Sequence, residues 1–290
     1  MIENLVTHPK TDLLPYGTIQ TFEMEMKPYH DHRRRQIRVW LPDDYDGVKR
    51  FPVVYMHDGQ GLFRSDDGRA KLEPDRAITK LKEEIGFSAI VVGIDNSPMR
   101  GTELTPPYTR RTRQDPVGGH PVPVIPGEST TATYAKFVVE HLKPLIDENY
   151  MTLPDAVNTC VGGISAGGSA SYYMFLQYPE VFGKAIVCSP GFPIFPEEVL
   201  MEELDNYDYA RLADHRIAFY NGDQGLDATS TYMVLDVYRK LRDKGLDTTR
   251  NMVLIDSRQT HYESAWRTYL PELLRFLFAE NNLAEYPPKN

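Results

Sequence analysis

Thr159-Cys160-Val161-Gly162-Gly163-Ile164-Ser165-Ala166-Gly167-Gly168 is the stretch on which the reading of this chain turns. Residues 159–164 form a short apolar run without polar alternation, as in a strand buried on both faces of a sheet, and a helical pattern starts near Ala166. A Gly-x-Ser-x-Gly at such a strand-to-helix junction is a nucleophile elbow. Its Ser backbone is strained, the positions two residues either side leave room only for hydrogen, and the hydroxyl stands clear above the sheet. A strand followed by glycines and a helix can instead cradle an anion, but this stretch has neither the Lys of a P-loop nor the spacing of a dinucleotide fingerprint.

Outward from the elbow, the same kind of run recurs at Pro52 to Met56, Ala89 to Ile94, Ala185 to Cys188, Ile217 to Tyr220 and Met252 to Ile255. Helical periods separate these runs: Ile78 to Ile85, Tyr134 to Leu145, Tyr172 to Tyr178, Tyr232 to Leu241 and Ala265 to Phe278. Strand alternating with helix predicts an α/β fold, a mostly parallel central sheet with helices on both faces. Near the N-terminus, Phe22, Met24 and Met26, then Ile37, Val39 and Leu41, alternate with polar residues, so 20–41 reads as an antiparallel hairpin. Residues 1–17 read as a loose N-terminal segment. Two connections are longer than usual, 98–129 and 189–208, and both leave the carboxyl end of a strand, the edge of an open α/β sheet where ligands bind. With no internal repeat or linker, 1–290 is expected to be a single domain.

The 290 residues carry 32 Lys and Arg against 41 Asp and Glu, a formal net charge of −9. That surface repels phosphate backbones and anionic membranes, which argues against nucleic acid and membrane as partners. No run of about 18 apolar residues and no basic-then-apolar leader stands in the sequence. The compartment is unassigned: cytoplasmic, or secreted with a leader already absent. Two cysteines, Cys160 and Cys188, make neither a disulfide framework nor a zinc site alone and read as buried free thiols.

A Ser hydroxyl needs a base, and in a sheet carrying an elbow the acid and then a His follow it in the chain. Only His215 and His261 lie downstream of Ser165. His215 precedes a strand, at the wrong end of the sheet; His261 lies between the last strand and the last helix, where a base belongs. The acid should leave the preceding strand, which runs into Asn221-Gly222-Asp223-Gln224-Gly225-Leu226-Asp227. Asp223 comes first and is the residue of choice; Asp227 competes with it, its alternative role being to cap the next helix. The oxyanion donors expected are the N–H groups of Ala166 and Gln60, the latter in His57-Asp58-Gly59-Gln60-Gly61 after the first parallel strand. His57 and Asp58 point to opposite sides of a strand end and His30-Asp31-His32 sits beside three Arg residues, so no metal site is assigned.

These residues resemble the esterase family of α/β-hydrolases that includes enterochelin esterases, S-formylglutathione hydrolase, and feruloyl and acetylxylan esterases. The resemblance is carried by Val39-Trp40-Leu41-Pro42 with Asp44-Tyr45, by residues 51–63 (FPVVYMHDGQGLF), by the elbow, by Tyr178-Pro179-Glu180-Val181-Phe182-Gly183, and by His261-Tyr262-Glu263 with Trp266. It implies an α/β-hydrolase domain whose nucleophile, base, acid and oxyanion amide fall on Ser165, His261, Asp223 and Gln60. No cofactor is expected.

The long loops hold Tyr108, Arg110, Arg111 and Arg113, and Phe192, Phe195 and Tyr207. As a roof over Ser165 they would supply aromatic walls and a cation; the alternative is that the Arg residues only neutralise the acidic surface. Gly59, Asn96, Tyr108, Arg110, Phe192 and Trp266 are the substrate-binding candidates. The function expected is a serine carboxylic-ester hydrolase working through an acyl-enzyme on an aryl or carbohydrate-linked ester. Siderophore trilactone hydrolysis and S-formylglutathione-type thioester hydrolysis are the alternatives within the class; an acyltransferase or a noncatalytic binding relative is the alternative outside it. The partner expected is a small-molecule or oligosaccharide ester, and a homodimer is left open.

Overall fold

Alternation in the N-terminal third and its absence further on decide where each strand sits in the sheet. A computed structural model of the chain describes residues 2–65, 67, 71–110, 125 and 127–278. Among them are the strands β1 (Val6–His8), β2 (Thr18–Glu25), β3 (Arg34–Leu41), β4 (Val53–His57), β5 (Ile90–Ile94), β6 (Thr159–Ile164), β7 (Lys184–Cys188), β8 (Arg216–Gly222) and β9 (Asn251–Asp256). They form one sheet in the order β1-β2-β3-β5-β4-β6-β7-β8-β9. The half-polar hairpin β2/β3 is antiparallel, with Phe22 opposite Ile37, and takes one edge. The strands from β5 to β9 are parallel, and β4, β5 and β7 are buried along their whole length.

The helices are α1 (Pro74–Ile85), α2 (Arg100–Glu103), α3 (Thr131–Lys136), α4 (Lys143–Asn149), α5 (Ala166–Gln177), α6 (Glu197–Asn206), α7 (Thr231–Asp243) and α8 (Glu263–Phe278), with a π turn at Phe137–Leu142 joining α3 to α4. Because successive strand side chains face opposite ways, each strand feeds two cores. Val53, Tyr55, Val161, Val187 and Phe219 pack with α5 and α7. Val54, Met56, Cys160, Ile186 and Tyr220 pack with α1 and α8. Both cysteines are therefore buried and free, and burial pushes the Cys160 thiol up to about 12.

Three elements depart from the sequence reading. The segment 1–17 contains a strand, β1, whose exposed Val6–His8 pairs with Ile19–Thr21 through its backbone, so no side-chain pattern announces it. Within 189–208 lies α6, whose apolar anchors are the buried Leu200 and Leu204. Within 98–129 lies the single turn α2, which owes its place to charge. Glu103, 1% exposed, accepts a bidentate pair from Arg35 at 2.9–3.1 Å and further bonds from Arg33 and Ser97. Removing one partner of such a pair leaves a buried charge uncompensated. Glu103→Ala is expected to lower the stability read from urea unfolding by about 3–5 kcal/mol, and a loss below 1 kcal/mol would show that water repairs the site.

Candidate active site

Ser165 is the single residue between the last residue of β6 and the first of α5, and it takes φ 59°, ψ −124°. Its N–H donates to Cys188 O at 3.0 Å, and its carbonyl accepts from Ser169 and Gly191. The steric demand for glycine falls on Gly163, where a Cβ would lie 2.5 Å from the Gly167 carbonyl carbon, and on Gly168, where it would lie 2.8 Å from Cys188 O. At Gly167 the nearest atom, Cβ of His57, would be 3.3 Å away, so there the fit is tight without a backbone clash. The strict requirement is thus displaced by one residue on the helix side of the motif. As the first residue of α5, Ala166 has an N–H with no acceptor inside the helix.

The carboxylate paired with His261 is that of Asp227, not that of Asp223. His261 Nδ1 lies 2.6 Å from Asp227 Oδ1. Asp227 is 1% exposed in the 3₁₀ turn Gly225–Thr229, and its Oδ2 accepts from the Gly222 N–H at 3.0 Å and from Ser189 Oγ at 2.9 Å. Asp223 instead accepts from Thr231 Oγ1 at 2.9 Å and stays partly exposed. The reason lies in the length of β8, which continues through Gly222 and so carries Asp223 past the position where the His loop closes. That loop docks through Gln259 O, which accepts the Asp223 and Gln224 N–H groups, and a Cβ on Gly222 would lie 2.5 Å from the same oxygen. Asp227 caps no helix with its side chain; Ser230 occupies the N-cap of α7.

At the end of β4, Asp58 takes φ 58° and leads the 3₁₀ turn Gly59–Gly61. Gly59 packs on β5, where a Cβ would lie 2.7 Å from Asp95 Oδ1. The turn is braced on two sides. Asn96 donates its backbone N–H to Gln60 Oε1 at 3.0 Å and its side-chain amide to Asp58 Oδ1 at 2.6 Å, while Arg100 binds both Asp58 oxygens at 2.6 and 2.8 Å. His57, buried beside the elbow, pairs Nδ1 with Tyr134 Oη at 2.8 Å, and burial pulls it down to about 4.

The substrate-binding candidates fare unequally. Gly59 opens the turn after β4 and Asn96 braces it. Phe192 is wholly buried and packs edge-on to Tyr172, and Phe195 is also fully buried, so neither walls an open pocket. Tyr108 packs on Phe195 and Tyr173 and donates its hydroxyl to Glu203 at 2.6 Å. Arg110 donates to the carbonyls of Ile125 and Gly127, its own loop, while Arg111 and Arg113 lie outside the described residues. Trp266, 5% exposed, stands perpendicular to the His261 ring at 4.8 Å and donates Nε1–H to Ser189 Oγ at 2.8 Å. Sequence reasoning missed Ser189, Gly222 and Arg100. The one available signal was Gly222 next to the strand end.

A mostly parallel sheet with antiparallel N-terminal strands and an elbow on its central strand defines an α/β-hydrolase fold. The family model described as "Putative esterase" matches residues 31–277, and the chain belongs to that family. The uncharacterized protein YjcH of Bacillus subtilis is 26% identical over 174 residues, 60% of this chain and 62% of its own. An endo-1,4-beta-xylanase/feruloyl esterase of Xylanibacter ruminicola is 26% identical over 184 residues, 61% of this chain and 22% of its own. The chain thus spans less than two thirds of either relative. The ferric enterobactin esterase of Salmonella typhimurium superposes with TM-score 0.64 at 18% identity, over 89% of this chain and 57% of that one, a likeness of fold.

His57 gives the site a pH signature. A His held at about 4 in the folded chain against about 6.5 unfolded leaves the unfolded state with more protons, so stability is full above pH 6.5 and falls as the pH drops toward 4. By pH 5 the loss from this group is about 2 kcal/mol. In His57→Gln the drop in melting temperature between pH 7 and pH 5 is expected to shrink; an unchanged drop would assign acid sensitivity to other groups.

Proposed function

We propose that the protein is a serine carboxylic-ester hydrolase in which Ser165, His261 and Asp227 are nucleophile, base and acid. The observation that carries this reading is the 2.6 Å pairing of His261 Nδ1 with a buried carboxylate, in a chain that also holds a Ser at φ 59° in a strand-to-helix turn. A carboxylate at Nδ1 keeps the proton there and leaves the Nε2 lone pair free to act as base. Ser165 Oγ then attacks the ester carbonyl as His261 takes its proton, and the N–H groups of Ala166 and Gln60 receive the developing oxyanion. Collapse expels the alcohol, protonated by His261, and leaves an acyl-enzyme. Water, deprotonated in turn by His261, releases the acid and restores Ser165. No cofactor enters these steps, and the chain is taken to act as one α/β-hydrolase domain.

For substrate class we propose an ester joining an aryl acid or acetate to a carbohydrate. The relative named a feruloyl esterase supports this, since it is matched in sequence over 61% of this chain. A neutral ester also suits an oxyanion turn whose neighbouring cation, Arg100, is already engaged by Asp58.

Ser165→Ala is expected to abolish both hydrolysis and labelling by a fluorophosphonate probe. Asp227→Asn should lower kcat by roughly three to four orders of magnitude, and Asp223→Asn by less than about threefold. The reverse ranking would return the acid to Asp223. Initial rates on methyl ferulate, an acetylated xylo-oligosaccharide, a catecholate trilactone and S-formylglutathione then fix the substrate: preference for either of the first two is expected, and a faster trilactone or thioester would overturn the assignment.

A further inference from the structure

Two residues outside the triad converge on Asp227. Ser189 immediately follows β7 and takes φ 41°, in the left-handed region that a non-glycine residue enters only at a cost. Its N–H is anchored on Tyr220 O at 2.7 Å, and its hydroxyl lies 2.9 Å from Asp227 Oδ2 and 2.8 Å from Trp266 Nε1. An indole N–H can only donate. It therefore occupies a lone pair of Ser189 Oγ, and the Ser189 proton is left to point at Asp227.

The geometry points to Trp266 and Ser189 as positioning residues for the esterase reaction: an oriented relay, Trp266 N–H to Ser189 O–H to Asp227, that fixes the carboxylate and through it the His261 ring. This rests on the Ser165–His261–Asp227 reading and adds to it. With Gly222 N–H and Ser189 O–H on Oδ2, the carboxylate cannot rotate without abandoning two donors, so Oδ1 stays on His261. The same two donors withdraw charge from the carboxylate, which keeps the shared proton on the imidazole side. Trp266 also packs its ring against the imidazole, so one side chain touches the base directly and reaches the acid through Ser189.

The chemistry of the surroundings makes this readable in a pH profile. The titratable groups facing Asp227 from neighbouring strands are Cys188 on β7 and Tyr220 on β8, both pushed up by burial. Asp223 shares the loop and is bonded to Thr231; beyond Tyr220 lies Asp256, bonded to Tyr269 and Arg258; and Tyr262 beside His261 is exposed. A change in the acid limb of kcat/KM between the wild type and a relay variant therefore reads the relay.

The test uses the full chain and Ser189→Gly, which accepts φ 41° without strain while deleting the hydroxyl, together with Trp266→Phe, which keeps an aromatic ring beside His261 while deleting the N–H along with the second ring of the indole. Ser189→Gly is expected to lower kcat about tenfold with KM unchanged, and to move the acid limb to higher pH, because a carboxylate with one donor fewer stabilises imidazolium better. Trp266→Phe should lower kcat about threefold. Added to Ser189→Gly it should lower kcat no further, because the indole acts through the hydroxyl. Wild-type kcat and an unmoved limb in Ser189→Gly, or effects of the two changes that multiply, would overturn the relay. Should Ser189→Gly not fold, a Trp266→Phe variant with wild-type kcat does the same. Ser165→Ala separates the layers: if it stays active the triad reading itself fails, whereas an inactive Ser165→Ala beside an unimpaired Ser189→Gly removes the relay alone.

Discussion

A strand that hands over to a helix through one residue leaves that residue no ordinary conformation, and the site depends on this constraint at Ser165. The left-handed φ costs a non-glycine residue about 1–3 kcal/mol. The hydrogen bond from its N–H to Cys188 O opposes that cost, and so it ties the elbow to the register in which Ile164 lies beside Cys188. Neighbouring strands repeat the device. Asp58 after β4, Ser165 after β6 and Ser189 after β7 are three of the six non-glycine residues with positive φ among the described residues, and their strands are adjacent in the sheet. Each turns the chain sharply at the carboxyl edge: one into the Gly59–Gly61 turn, one into α5, and one so that its hydroxyl meets Asp227.

Asp227 completes the arrangement from a different principle. A carboxylate that is 1% exposed must be hydrogen-bonded or become neutral, and here three groups from three segments satisfy it: Gly222 on β8, Ser189 after β7 and His261 after β9. Burial therefore draws the loops together. The same glycine that donates to Asp227 also lets Gln259 O approach, so the His loop and the acid loop are closed by a single absent side chain.

How much of this was legible in the sequence follows from which forces leave a periodic trace. The unalternating runs from β4 to β9 and the elbow glycines reflect burial and steric exclusion, which act residue by residue, and they placed the sheet, Ser165 and His261. The choice between Asp223 and Asp227 depended on whether β8 stops at Tyr220 or runs to Gly222, and Asn221-Gly222 carries no hydrophobic signal to say so. The roof of aromatics failed for a related reason: Phe192 and Phe195 look alike whether they wall a pocket or fill a core, and their full burial places them in the core. β1 and the ion-paired turn α2 are held by backbone pairing and by Glu103, neither of which has a period.

The electrostatics of the carboxyl edge around Ser165 bear on the proposed reaction. Asp58 lies against the elbow, since a Cβ at Gly167 would come within 3.4 Å of its Oδ2. Left unpaired, that carboxylate would oppose negative charge growing on a substrate oxygen nearby. Arg100 neutralises it through two bonds, and with Arg100 so engaged the pair contributes little net charge. His57, pulled down to about 4, adds none at neutral pH. In the proposed mechanism, what remains to stabilise an oxyanion is the oriented dipoles of the Ala166 and Gln60 amides and the N-terminus of α5, which act at short range. Such a field favours charge that develops on a neutral ester during reaction over charge a substrate already carries. It also explains why an overall balance of −9 says little about the turn beside Ser165, where Asp58 is paired with Arg100.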